Sequence, residues 1–87
     1  MNTFKLVIST PDGNLFSDEV YKISLRGTEG DLAIMANHIP FATSVKPCVC
    51  HIETKDEKNL SIEVERGLLS VSGDKTTLMS GSARWID

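Results

Sequence analysis

The sequence predicts an all-β fold: a two-layer antiparallel β-sandwich of roughly eight to ten short strands. Three observations carry this expectation. Apolar residues recur at every second position along most of the chain, which is the period of a half-buried strand. Turn-forming residues interrupt that alternation about every eight to twelve positions. No stretch keeps a helical period for longer than a turn or two.

Phe4, Leu6 and Ile8 alternate with Lys5, Val7 and Ser9. Pro11-Asp12-Gly13-Asn14 ends this first strand with turn chemistry. Leu15 and Phe16 restart an apolar piece, and Tyr21, Ile23 and Leu25 then alternate with Lys22, Ser24 and Arg26. The loop Gly27-Thr28-Glu29-Gly30-Asp31 follows, where either glycine can take positive φ. Leu32, Ile34 and Ala36 alternate with Ala33 and Met35, and a turn Asn37-His38-Ile39-Pro40 leads to an extended piece from Phe41 to Lys46. Pro47 interrupts it and belongs at a strand start or an edge.

Cys48, Cys50 and Ile52 face one way, and Val49 and His51 the other. Lys55-Asp56-Glu57-Lys58-Asn59 forms a charged hairpin tip. Leu60, Ile62 and Val64 alternate cleanly with Ser61, Glu63 and Glu65, the pattern of an antiparallel strand with one wet face. Gly67 breaks the pattern. Leu69 and Val71 then form a strand, Gly73-Asp74 turns, Thr76 and Leu78 continue, and Trp85 lies near the end. The 87 residues are expected to form one small domain, 1–87, without linker or internal repeat. A chain of this size gains a modest surface-to-volume advantage on folding, so a stabilising partner is in keeping with it.

Composition narrows function. A formal net charge of −3 lacks the basic face of a nucleic-acid binder and the cationic surface that adsorbs to anionic lipid. No apolar run is long enough to span a bilayer, and Met1-Asn2-Thr3-Phe4-Lys5 lacks the start of a signal peptide. A cytosolic chain is expected, with any membrane link made through another protein.

The chemistry of catalysis is missing. No serine sits in a G-x-S-x-G elbow, and no Walker A loop occurs. Gly27 and Gly30 resemble half of a dinucleotide fingerprint, but a strand follows them where a helix is required. Glu63 and Glu65 share one strand face and read as a solvated surface, not as a bracketing acid/base pair. Cys48, Cys50 and His51 leave a metal site open as an alternative, one that would need a further ligand. A free cysteine is more often a small buried hydrophobe. His38, beside Pro40, reads either as a structural turn residue or as a contact at a protein interface.

Three segments carry a resemblance. Ser9-Thr10-Pro11-Asp12-Gly13-Asn14-Leu15-Phe16, followed by Val20-Tyr21-Lys22-Ile23, is similar to the opening of the epsilon subunit of bacterial F-type ATP synthases. Gly27, Glu29, Gly30, Asp31, Leu32, Ile34, His38, Pro40, Thr43, Lys46 and Pro47 match the most recognisable motif of that family, and Gly67-Leu68-Leu69-Ser70-Val71 resembles a later strand. Ala33 stands where glycine is usual, Ala36-Asn37 where Pro-Gly is usual, and Arg66 where the first of two glycines is usual. Asparagine still tolerates the left-handed backbone that glycine permits there. The Cys48-Val49-Cys50 strand is not a family feature.

The resemblance implies a non-catalytic rotor subunit of the central stalk, without cofactor or small-molecule substrate. Its implied partners are the gamma subunit and the membrane c-ring, on the cytoplasmic side of the membrane. Thr10, Leu15, His38 and Thr43 match positions near gamma, and Glu29 and Asp31 match the acidic loop facing the c-ring. Leu15 reads equally as core, and Glu29 and Asp31 equally as an ordinary solvated loop. The family's C-terminal helical hairpin is not found before Asp87. Its inhibitory insertion and nucleotide sensing are therefore not expected of these residues. A free-standing β-sandwich adaptor is the other alternative.

Overall fold

The computed structural model describes residues 2–37, 39–73 and 75–86. Among them lie nine strands and no helix: β1 (Phe4–Thr10), β2 (Gly13–Gly27), β3 (Gly30–Met35), β4 (Phe41–Val45), β5 (Cys48–Thr54), β6 (Asn59–Val64), β7 (Gly67–Ser72), β8 (Lys75–Ser80) and β9 (Ala83–Ile86). The alternation read from the sequence becomes two facing layers. One runs from the first half of β2 through β1, β8 and β7 to β4. The other runs from β3 through the second half of β2 and then β5 and β6 to β9.

β2 is the departure from expectation. The sequence suggested two apolar pieces separated by polar residues, yet residues 13–27 form one strand. Its first half pairs with β1 up to Val20, and its second half pairs with β3 from Lys22 onward. Two bulges make this possible. Leu15 is the extra residue where Ile8 faces Phe16 and Ser9 faces Asn14. Tyr21 is the extra residue where Val20 faces Thr54 and Lys22 faces Glu53. A bulge bends and twists a strand without breaking it, which is how one strand turns a corner between layers. A further bridge, Gly27 to Val45, ties the end of β2 to β4 and closes hydrogen bonding around the β1-β8-β7-β4-β2 ring.

Every pairing is antiparallel except β1 with β8, which run parallel. Parallel neighbours need a long crossover, and here most of the chain forms it. The layers enclose a core of fully buried side chains, among them Leu6, Ile8, Leu69 and Leu78 from one layer and Ile23, Ile34, Ile52 and Ile62 from the other. Burying each contributes about 2 kcal/mol. The salt bridges among the described residues (Lys22–Glu53, Arg26–Asp31 and Arg84–Glu63) all lie in solvent. Water screens such pairs, so packing holds the fold. Where β9 and the first half of β2 approach across the layers, Phe16 and Trp85 meet edge to face with ring centroids 5.9 Å apart.

Gly67 stands where no other residue fits. It faces Ser80, and a Cβ on it would collide with the backbone oxygen of Met79. That obstacle is ladder backbone, which cannot rotate aside. Gly67→Ala is therefore expected to lower stability by at least roughly 3 kcal/mol, by forcing the β7–β8 pairing apart. Urea unfolding followed by circular dichroism measures this, and a loss below about 1 kcal/mol would show that the ladder can yield.

Candidate interaction surfaces

The first surface is the β2–β3 hairpin tip. Gly27 pairs with Gly30, leaving Thr28 and Glu29 as the two turn residues. Gly30 has φ 123°, a backbone that a side chain would strain. Thr28 N donates to Ser44 O at 3.3 Å and Lys46 N to Arg26 O at 3.1 Å, so the tip is anchored on the β4–β5 corner. Glu29 is exposed and makes no ion pair among the described residues. Asp31 faces Arg26 across the hairpin, and Arg26 Nε donates to Asp31 Oδ1 at 2.8 Å. That hydrogen bond, and then the carboxylate charge, raise the pKa of the guanidinium above its already high value. Both groups remain largely in water.

The second surface is the outer face of the β1-β8-β7-β4 layer. Leu69 and Leu78 point inward and are fully buried, so their neighbours Leu68 and Met79 must point outward. These two face each other across the β7–β8 ladder, 41% and 46% exposed. Thr10 and Pro11 border them in a shallow apolar groove that Arg66 and Gly67 also line. The Thr10 hydroxyl accepts from Asp12 N at 3.2 Å and donates to Gly13 O at 3.4 Å, which shapes the β1–β2 turn. Ser44 lies opposite Leu68 at the far side of the face. Thr43 lies opposite Leu69, half-buried on the inward side of β4. Leu15 is 38% exposed on its bulge and so does not belong to the core. His38 lies outside the described residues. Beside it, Asn37 takes φ 68°, the left-handed backbone expected of that position.

Comparison with known proteins agrees with this architecture. The family model of the ATP synthase delta/epsilon chain β-sandwich domain matches residues 3–86. This chain belongs to that family. It is 32% identical over 85 residues to the ATP synthase epsilon chain of Clostridium perfringens, covering 98% of this chain and 64% of that one. It is 32% identical over 83 residues to the sodium-ion-specific ATP synthase epsilon chain of Acetobacterium woodii, covering 95% of this chain and 62% of that one. The chain thus spans less than two thirds of the length of these relatives. In fold, it superposes with TM-score 0.90 on a chain from the Euglena gracilis mitochondrial ATP synthase structure containing OSCP, F1 and c-ring, at 19% identity, covering 98% of this chain and 56% of that one.

Against this family background, the cysteine strand does not form the alternative metal site. Cys48 and Cys50 point into the sandwich, with Cys50 fully buried, while His51 points outward with Nδ1 3.2 Å from Ser61 Oγ. No cluster of three potential ligands occurs among the described residues. Cys48 borders a concavity of about 470 Å³ where β2 and β5 separate, beside Arg26, Asp31 and Val49. The sequence reading passed over Leu68, Met79 and Arg26. The signal for the first two was present: in Leu68-Leu69 and Leu78-Met79, adjacent apolar residues on a strand force one of each pair outward.

Burial, and then the neighbouring Cys48, push the Cys50 thiol well above the usual thiol range. Folded protein at neutral pH should therefore react with a thiol reagent at Cys48 and leave Cys50 intact until it unfolds, as peptide mapping after alkylation would show. The linkage sign follows from the raised value. Native Cys50 keeps a proton that the unfolded thiol loses near its ordinary pKa of 9.0, so this contribution to stability falls as pH rises past about 9. A Cys50→Ala variant should lose that alkaline component.

Proposed function

We propose that residues 1–87 form the β-sandwich domain of an ATP synthase epsilon chain and serve as a non-catalytic element of the central stalk. In this reading the domain bridges the gamma subunit and the c-ring, peripheral to the membrane on its cytoplasmic side. It relays ion-driven rotation toward ATP synthesis in the catalytic head. The match of residues 3–86 to the delta/epsilon sandwich carries the proposal. The physical properties of the domain support it.

A coupler must not absorb twist. Two layers joined through one continuous strand, closed by the Gly27–Val45 bridge and filled by branched aliphatic residues, resist shear between their faces. The outer face bearing Leu68 and Met79, bordered by Thr10, suits the gamma side because it offers apolar area that a partner can dry. Leu15 and His38 are assigned to gamma on their match to the family motif. Thr43 acts there through the position of β4, since its own side chain turns inward. The hairpin tip with Glu29 and Asp31 suits the polar loops of the c-ring. Its charges sit on a two-residue turn held by backbone hydrogen bonds, and so are presented at fixed positions.

Separate binding measurements with purified gamma and with detergent-solubilised c-ring test the two assignments. Leu68→Glu together with Met79→Glu should weaken gamma binding by about tenfold or more, with an unchanged melting temperature and unchanged ring binding. Glu29→Lys together with Asp31→Lys should weaken ring binding and spare gamma. Equal loss of both partners in either variant would defeat the division into two surfaces.

A further inference from the structure

The acidic tip is not an acidic surface. Hydrogen-bonded register runs in one row from Gly27 to Val45, from Val45 to Gly67 and from Gly67 to Ser80. This row brings segments distant in sequence to one end of the sandwich. Beside Glu29 and Asp31 it places Arg26 on the same hairpin and Lys46, whose backbone N donates to Arg26 O. Arg66 adjoins Gly67, two strand spacings or about 10 Å from Gly27. All five side chains belong to exposed residues. Glu65 precedes Arg66 in the same turn, so three cations and three carboxylates lie at this end, with Arg26 and Asp31 lining the concavity beside β5 and Arg66 the groove beside Met79.

The Arg26–Asp31 pair leaves most of its capacity unused. Its single hydrogen bond joins Nε to Oδ1. No bond from either Arg26 Nη, and none to Asp31 Oδ2, appears among the described residues. A guanidinium has five N–H donors, and four of them sit on the two Nη atoms. We propose that this end is a mixed-charge docking surface on which Arg26 is a direct contact. Its Nη donors take a carboxylate or backbone carbonyls of a ring loop, Asp31 holds the guanidinium in place through Nε, and Glu29 takes a cation from the same loop. This rests on the ring assignment proposed above. The occupant is a short polar loop carrying both an acceptor and a basic side chain. A loop bearing basic groups alone would meet Arg26 and Lys46 as repulsion.

The sign of one substitution separates this from simple screening. If Arg26 merely neutralises Asp31, Arg26→Ala frees a carboxylate and tightens binding to a basic loop. If Arg26 is a contact, Arg26→Ala removes charge-assisted hydrogen bonds and weakens binding by roughly tenfold or more. The experiment measures affinity for the detergent-solubilised c-ring of the same ATP synthase, using wild type, Arg26→Ala, Arg26→Lys and Glu29→Lys. Gamma binding and the melting temperature serve as controls for the fold. The expected result is weakening by Arg26→Ala with only partial recovery in Arg26→Lys, because lysine cannot reproduce the planar fork. Unchanged or tighter binding by Arg26→Ala, with Glu29→Lys still weakening it, would overturn the role of Arg26 and leave the ring assignment standing. No ring binding by wild type, or none of the variants altering it, would overturn both.

Discussion

The fold depends on one strand belonging to both layers. β2 pairs with β1 in one layer and with β3 and β5 in the other, and its two bulges, at Leu15 and Tyr21, supply the bend. Without that bend, residues 13–27 could extend one layer but not fold over onto the second. With it, the layers are fixed in relative position by covalent chain and continuous hydrogen bonding as well as by the core between them. The single Gly27–Val45 bridge completes the ring, and the close passage of Gly67 against the Met79 carbonyl lets β7 and β8 stay in register at the same end.

That end of the molecule gathers its chemistry as a consequence. The row through Gly27, Val45, Gly67 and Ser80 consists of strand ends, and strand ends carry turns and charges. The broad outer face of the neighbouring layer is ladder, where side chains stand at fixed spacing, and there the exposed residues are apolar at Leu68 and Met79. An apolar patch at Leu68 and Met79 on one layer and a charged end bordering it, set on a closed body, give the molecule two unlike surfaces. This is what the proposed mechanical link needs.

Most of the strands were legible in the sequence because alternation is a local signal. Leu60 to Val64 needed no neighbour to declare which side faces inward. The bend in β2 was not legible. Ser17, Asp18 and Glu19 resemble a break between strands, and only a partner strand can show that the polar run stays paired. The assignments at the surface divide in the same way. Leu15 could be placed in the core or outside it from sequence, and the bulge decided for the outside. Thr43 matched a family motif, yet its register with Leu69 turns it inward. Cys48, Cys50 and His51 looked like a ligand set as letters, and strand geometry divides them between two faces.

The sequence by itself determined the fold class, the inward face of nearly every strand and the family, because each follows from residue period or from motifs within a short stretch. Tertiary structure alone decided which charges meet at one end of the sandwich. Arg26, Lys46 and Arg66 lie far apart along the chain, and they join Glu29 and Asp31 through the pairing register of β2, β4 and β7. Register is set by the packing of the whole core, so no local pattern could have disclosed it.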